Sequence, residues 1–326
     1  MTVHTRWLSA IVGAAGLSLA AGPAFAASWD MPTPYPDGNF HTQNIYQFVE
    51  DVAEATGGEV EITVHPAGSL IRHPEIKNAV RGGQAQIGEF LLSSLGNENA
   101  LFEVDAVPFL ATSYDDARSL WDASRESIED ILGQQNLMLL YAVPWPPQGL
   151  YADQEINTVD DLAGLRFRAY NPATERIAQL AGAVPTQIEV PDIPQGFATG
   201  RVDAMITSAS TGVESQAWDY LSHFYDTQAW LPKNAIVVNR DAFEALDEDA
   251  QNAILEAAAA AEERGWEASM AEHDKQSATL AENGVTVAEP SDDLAASMRA
   301  IGETLTDEWV ERAGAEGEAI LERFSN

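Results

Sequence analysis

The sequence has no cysteine and only three lysines, Lys77, Lys233 and Lys275. Without cysteine there is no disulfide framework and no thiol chemistry, so the core must stabilise itself by packing. Cations are scarce overall: 17 Lys and Arg stand against 51 Asp and Glu, a formal net charge of −34. A chain so acidic cannot neutralise phosphates, which excludes nucleic acid as a partner and an anionic membrane surface with it. Catalytic signatures are missing too: there is no G-x-S-x-G, H-E-x-x-H, Walker loop, G-x-G-x-x-G or D-x-D-x-D-G calcium loop. His41, His65, His73, His223 and His273 lie far apart, with no two at helical ligand spacing. No cofactor, no metal and no enzymatic activity are expected.

What is present begins with an export signal. Arg6, the apolar run "WLSAIVGAAGLSLAAG" and the small-residue "AFA" at Ala24 to Ala26 mark residues 1–26 as a secretory signal peptide. A retained anchor is disfavoured, because the run is short and rich in Ala and Gly while a spanning helix needs about 20 apolar residues. The expected location is the periplasm. The remaining chain, lysine-poor and acidic, suits a soluble protein in a medium where salt screens its self-repulsion.

Along that chain, short strands alternate with helices. "EVEITVH" alternates Val60, Ile62 and Val64, "HPEIKNAVRGG" reads as a short helix, and "AQIGEFLLSS" as a strand. A helix over roughly 114–132 precedes the apolar strand "LMLLYAV" and the segment "PWPPQGLY". Asn171 is placed to cap a helix that opens on Pro172 and ends at Gly182. The Ala-rich stretch after Leu246 is the longest helical signal, with Gly265 a candidate kink. The alternation predicts an α/β fold with largely parallel sheets, and its recurrence on both sides of "PWPPQGLY" predicts two similar lobes.

One stretch stands apart in so acidic a chain: "AGLRFRAYNPATERIAQLAG". Strand alternation sets Leu165 and Phe167 on one face, Arg166 and Arg168 on the other. Arg168 falls at the strand's carboxyl end, where open α/β sheets bind ligands, and its guanidinium is a planar fork of donors suited to a carboxylate. An ordinary salt bridge to a nearby acid is the competing reading.

The segments "TGGEVEITVHPAGSL", "AVRGGQAQIGEF", "VDAVPFL", "INTVDDLAGLRFR", "FATGRVDAMITS" and "LPKNAIVVNRDAFEALDEDAQNAILEAA" resemble the solute-binding proteins of tripartite ATP-independent periplasmic (TRAP) transporters, of the dicarboxylate-binding type. The resemblance runs over essentially the whole chain after the signal. It implies a two-lobed periplasmic binding protein with mixed sheets, a ligand cleft between the lobes and a long lobe-spanning helix. The implied division is 27–148 plus 234–270 for one lobe and 149–233 plus 271–326 for the other. It further implies capture of a small organic solute and delivery to TRAP membrane permease subunits, with no covalent chemistry and no stable membrane insertion.

On this resemblance Arg168 takes the place of the ligand-carboxylate arginine, and Arg166 that of a basic surface residue. Two departures weaken the hold on an anion: Tyr151 stands near a position that is often arginine, and Thr207, followed by Ser208, near one that is often asparagine. Glu89 falls where some members carry an acid in the cleft, and Trp145 and Trp230 on pocket-lining segments. Tyr35, Asp37 and Tyr170 complete the candidate ligand-binding set. An acid with aromatic faces also fits a small amine or zwitterion such as ethanolamine, choline or an ectoine-like compound. The receptor of an ATP-driven importer and a secreted hydrolase are the alternatives from other classes.

Overall fold

The computed structural model describes residues 27–325, so the expected signal peptide, 1–26, lies outside the described residues. The chain opens with β1 (Ala27–Pro32), which pairs in parallel with β2 (Val60–His65) across the intervening α1 (Phe40–Ala55). Then come α2 (His73–Arg81), β3 (Ile87–Leu91), α3 (Tyr114–Gly133) and β4 (Leu137–Pro144). A second series follows: β5 (Gln148–Ala152), β6 (Arg166–Ala169), α4 (Pro172–Leu180), β7 (Val184–Gln187), α5 (Ile193–Ala198), β8 (Ala204–Ser208), α6 (Ala209–Glu214) and β9 (His223–Tyr225). The chain returns as β10 (Lys233–Asn239) and α7 (Arg240–Glu244), then α8 (Glu248–Glu282), β11 (Thr286–Ala288) and α9 (Asp292–Ser325).

The strands form a two-stranded sheet β1-β2, a three-stranded sheet β3-β10-β4 and a six-stranded sheet β11-β9-β5-β8-β6-β7. These two larger sheets centre the two lobes. The expectation of largely parallel sheets needs correcting. β10, arriving from late in the chain, inserts between β3 and β4 and runs against both, so that sheet is wholly antiparallel. In the larger sheet β5 runs against β8 and β9, while β6 is parallel to β7 and β8.

α8 is unbroken and joins the lobes. It buries Ile254, Ala257, Ala258 and Ala261 in the core that holds β1, β2 and α1, and Leu280 in the core behind β8 and β9. Gly265 is not a kink. A Cβ there would lie 2.4 Å from Val143 Cγ2 and 2.8 Å from Asn44 Nδ2, so glycine lets the helix approach β4 and α1 closely. The break in regular dihedrals falls instead in α9, at Gly314, whose φ of 61° is left-handed. No described helix is long and apolar enough to cross a membrane.

Two crossing segments join the sheets and pair with each other. Trp145 N donates to Pro232 O at 2.7 Å, Gln148 N to Trp230 O at 3.0 Å, and Ala229 N to Gln148 O at 3.0 Å. Prolines in both segments remove backbone donors and restrict φ, which holds this short ladder in an extended form. The cleft opens beside it.

Candidate functional site

Strand β6 delivers its side chains as alternation requires. Phe167 is fully buried in the core of the six-stranded sheet. Arg166, at the strand's exposed start, is half exposed and makes a forked pair with Asp203, Nε to Oδ2 at 2.7 Å and Nη2 to Oδ1 at 2.5 Å. Arg168, two residues on, is only 2% exposed. Its Nε donates to the Ile188 carbonyl at 2.9 Å, its guanidinium carbon lies 4.8 Å from the Tyr170 ring centroid, and Nη1 is buried without a hydrogen-bond partner. Burial pulls its pKa below the ordinary arginine value, with Tyr170 and Glu189 acting in the opposite direction. A buried cation holding an unused donor is a costly arrangement unless an anion comes to it.

Arg168 borders a small, partly open cleft between the lobes with a cavity volume of about 30 Å³. One wall is aromatic: Tyr35, Trp145 and Tyr170, the first two packed edge to face at 4.9 Å. Gln148, Thr207 and Thr211 supply neutral polar groups, and Leu91, Val190 and Pro232 supply apolar ones. Local structure explains several placements. Asn171 caps α4 by accepting from Thr174 N at 2.8 Å, which turns the chain immediately after Tyr170. Ser208 caps α6, accepting from Thr211 N at 3.2 Å, and so presents the Thr211 side chain to the cleft.

Of the residues singled out in the sequence, Arg168, Trp145, Thr207, Tyr170 and Tyr35 meet in this cleft. The others lie elsewhere. Tyr151 is fully buried, donates to Ser208 O at 3.2 Å and packs against Phe224 at 4.5 Å. Ser208 acts as a helix cap, and Trp230 is fully buried in the core with Phe167. Asp37 sits exposed in the first loop, accepting from the Tyr46 hydroxyl. Glu89 does not border the cleft and lies one layer behind it.

That layer is a closed polar network. Glu89, with no exposed surface, accepts from Asn234 Nδ2 at 2.7 Å through Oε1 and from the Thr33 hydroxyl through Oε2. Asn234 Oδ1 in turn accepts from Tyr35 Oη at 3.2 Å and Trp145 Nε1 at 3.0 Å. Burial pushes the Glu89 carboxyl up to about 7, against the opposing pull of Thr33 and Asn234. Glu89 therefore reaches the cleft only through Asn234, which holds Tyr35 and Trp145 of the aromatic wall.

Sequence reasoning missed Gln148, Thr211 and Asn234. The "STG" that follows an apolar strand carried a capping signal from which Thr211 could have been found. Nothing local distinguishes Asn234, because its three partners come from residues 35, 89 and 145.

A model described as "bacterial extracellular solute-binding protein, family 7" matches residues 33–313. Among solved structures, a Bordetella pertussis extracytoplasmic solute receptor, DctP6, described as binding pyroglutamic acid, is 44% identical with a TM-score of 0.91, covering 92% of this chain and 99% of that one. A marine-metagenome TRAP solute-binding protein described as specific for pyroglutamate is 38% identical, again with a TM-score of 0.91, covering 92% and 99% of the two chains. Among curated proteins, the ectoine-binding periplasmic protein TeaA of Halomonas elongata is 23% identical over 99% of this chain and 96% of its own.

Proposed function

The chain belongs to family 7 of the bacterial extracellular solute-binding proteins, the solute receptors of TRAP transporters, and from that premise we propose that its ligand is a small cyclic monocarboxylate of the pyroglutamate kind. Receptors of this family bind and release; they are not enzymes. The observation that carries the ligand reading is the buried Arg168 guanidinium, whose Nη1 has no partner and which lines the cleft. A carboxylate there would replace water with a charge-assisted hydrogen bond in a setting of low dielectric.

The rest of the lining supports one charge and no more. Thr207 and Thr211 offer hydroxyls that donate or accept, as the N–H and C=O of a lactam ring require. Tyr35, Trp145 and Tyr170 offer faces to the ring itself. The amine alternative loses its anion, because Glu89 stands behind the cleft with both oxygens engaged. The described ligands of the 44% and 38% identical receptors point the same way.

The lobe division 27–148 with 234–270 and 149–233 with 271–326 belongs to the same proposal; the strand order of the two larger sheets supports it through β11, while the end of α9 packs Trp309 and Ile320 against Leu120 and Ala123 of α3. Export through residues 1–26 and delivery of the trapped solute to a TRAP permease belong to it too.

The test is calorimetry and thermal shift on purified protein with L-pyroglutamate, ectoine, D-glucuronate and ethanolamine. L-pyroglutamate should bind most tightly and raise the melting temperature most, by mass action. Binding of ethanolamine with none of the three carboxylates would reject the proposal.

A further inference from the structure

Hydrogen bonds join the lobes from Asn171 Nδ2 to Ser93 Oγ at 2.9 Å, from Asn39 Nδ2 to Glu214 Oε1 at 2.7 Å and between His73 and Glu189, and the last of these bears on the ligand-gripping arginine through the backbone. His73, the first residue of α2, belongs to the side of the three-stranded sheet; Glu189 follows β7 on the edge of the six-stranded sheet. His73 Nδ1 lies 3.0 Å from Glu189 Oε2, and His73 Nε2 accepts from the Leu91 backbone N–H at 3.1 Å. The second contact fixes the tautomer: Nε2 must be bare, so Nδ1 carries the proton and donates it to the carboxylate. The pair is shielded, with side chains 10% and 23% exposed.

Both ends of this bond reach the cleft. Leu91, held by His73, lines it, and so does Val190, next to Glu189. Ile188, on the other side of Glu189, gives the carbonyl that accepts from Arg168 Nε. Ile188 N is itself bonded to Ala169 O at 3.1 Å, one residue from Arg168. The turn from Ile188 to Val190 therefore orients the guanidinium and forms part of the wall, and its one bond across to His73 exists only when the lobes meet. Glu189 is kept ionised for this: burial alone would raise its carboxyl, but the hydrogen bond from His73 and the charge of Arg168 outweigh burial and hold it below the ordinary value.

We propose that His73 is a positioning residue that couples lobe closure to the ligand grip: by bonding Glu189 across the cleft it locks the Ile188–Val190 turn, and with it the Arg168 guanidinium, so that closing and holding are one event. The inference rests on Arg168 being the carboxylate anchor. Its consequence is kinetic. Ligand entry precedes the bond, whereas release requires breaking it, so its loss should appear in the dissociation rate.

The absence of native cysteine allows clean double labelling, with nitroxides at Ser69→Cys and Gln195→Cys, two exposed positions on the opposing sides. His73→Ala should lengthen the inter-label distance by depleting the closed form, with and without L-pyroglutamate. Stopped-flow dissociation of L-pyroglutamate should quicken by about tenfold, as expected for loss of a charge-assisted hydrogen bond, with little change in association. His73→Asn, whose amide nitrogen sits where Nδ1 does, should restore most of the closed form. In the His73→Ala/Glu189→Gln pair the two effects should not add.

An unchanged distance distribution and off-rate in His73→Ala would overturn the coupling. So would an effect matched by an equal fall in melting temperature of the ligand-free protein, which would make His73 a fold residue. If wild-type protein binds no L-pyroglutamate yet its inter-label distance still depends on His73, the ligand reading fails and the latch stands. Tight binding that is indifferent to His73 would do the opposite, keeping the ligand and removing the latch.

Discussion

Two buried ionisable side chains sit in the two lobes of this molecule, and they have been treated differently. Glu89, behind the aromatic wall, has Thr33 and Asn234 on its two oxygens and His41 Nδ1 at 3.7 Å. Arg168, on the opposite lobe, has one backbone carbonyl, the face of Tyr170 and an idle Nη1. Burial is almost equal, at 0% and 2% exposure. The difference is satisfaction. A buried charge whose hydrogen bonds are closed by its own fold is structure; one left with an open donor beside a cavity is a binding group.

The sharpest way to break the comparison is to remove the open charge. Arg168→Ala should weaken L-pyroglutamate binding by about 3–5 kcal/mol, since a carboxylate would then be trapped without its partner. Calorimetry reads this directly, and an affinity within twofold of wild type would take Arg168 out of the site.

The closed charge should show itself in stability rather than binding. Burial raises the Glu89 carboxyl from 4.5 to about 7, so between those values the folded protein holds a proton that the unfolded chain has released. Stability must therefore fall as pH climbs from about 4.5 to about 7 and level off above, by at most about 3 kcal/mol from this group. Asp105, pushed up to about 6 chiefly by burial, adds a slope of the same sign. Urea unfolding at pH 5 and pH 8 should show Glu89→Gln less pH-dependent than wild type, with Asp105 and Glu214, which burial also pushes up to about 7, leaving a residue of the effect. Identical slopes in the two proteins would mean that Glu89 is not the buried acid described.

A smaller effect tests the link between that layer and the cleft. Asn234→Ala removes the acceptor shared by Tyr35 and Trp145, and should cost binding about 1–2 kcal/mol without touching the carboxylate contact. The loss should be similar for L-pyroglutamate and for a ring-bearing competitor such as ectoine. A loss confined to one of them would argue for a direct contact instead.

Salt should distinguish both buried groups from the surplus of acidic residues in the composition. With a formal charge of −34, the melting temperature should rise by a few degrees from low to high salt as surface repulsion is screened. Dissociation of the enclosed ligand should hardly change. A flat melting temperature would count against the reading of the surface as built for salt.

How far all this was legible varies residue by residue. Strand alternation puts Arg166 and Arg168 on one face, and only their position along β6 separates them, Arg168 standing nearer the sheet's carboxyl end; the Asp203 fork on Arg166 agrees with its surface reading. The Asn171 cap and Pro172 at the first turn of α4 were equally plain, since capping chemistry is local. Trp230 and Tyr151 were harder. An aromatic on a crossing segment can face the cleft or the core, and their burial against Phe167 and Phe224 depends on segments folded elsewhere.

The amino-acid sequence by itself determined what short range and composition control: α/β alternation, helix caps, the absence of disulfides, the strongly acidic composition, and an arginine at the end of its strand. Tertiary structure alone decided that Glu89 lies behind the wall, that Asn234 ties Tyr35 to Trp145, and that His73 reaches Glu189. These partners stand 116 residues apart for His73 and Glu189, 145 for Glu89 and Asn234, and 199 for Tyr35 and Asn234. Periodicity and capping act over a few residues, whereas a cleft is made where distant segments are brought together, and only there is it settled which polar groups find a partner within the fold and which are left for a ligand.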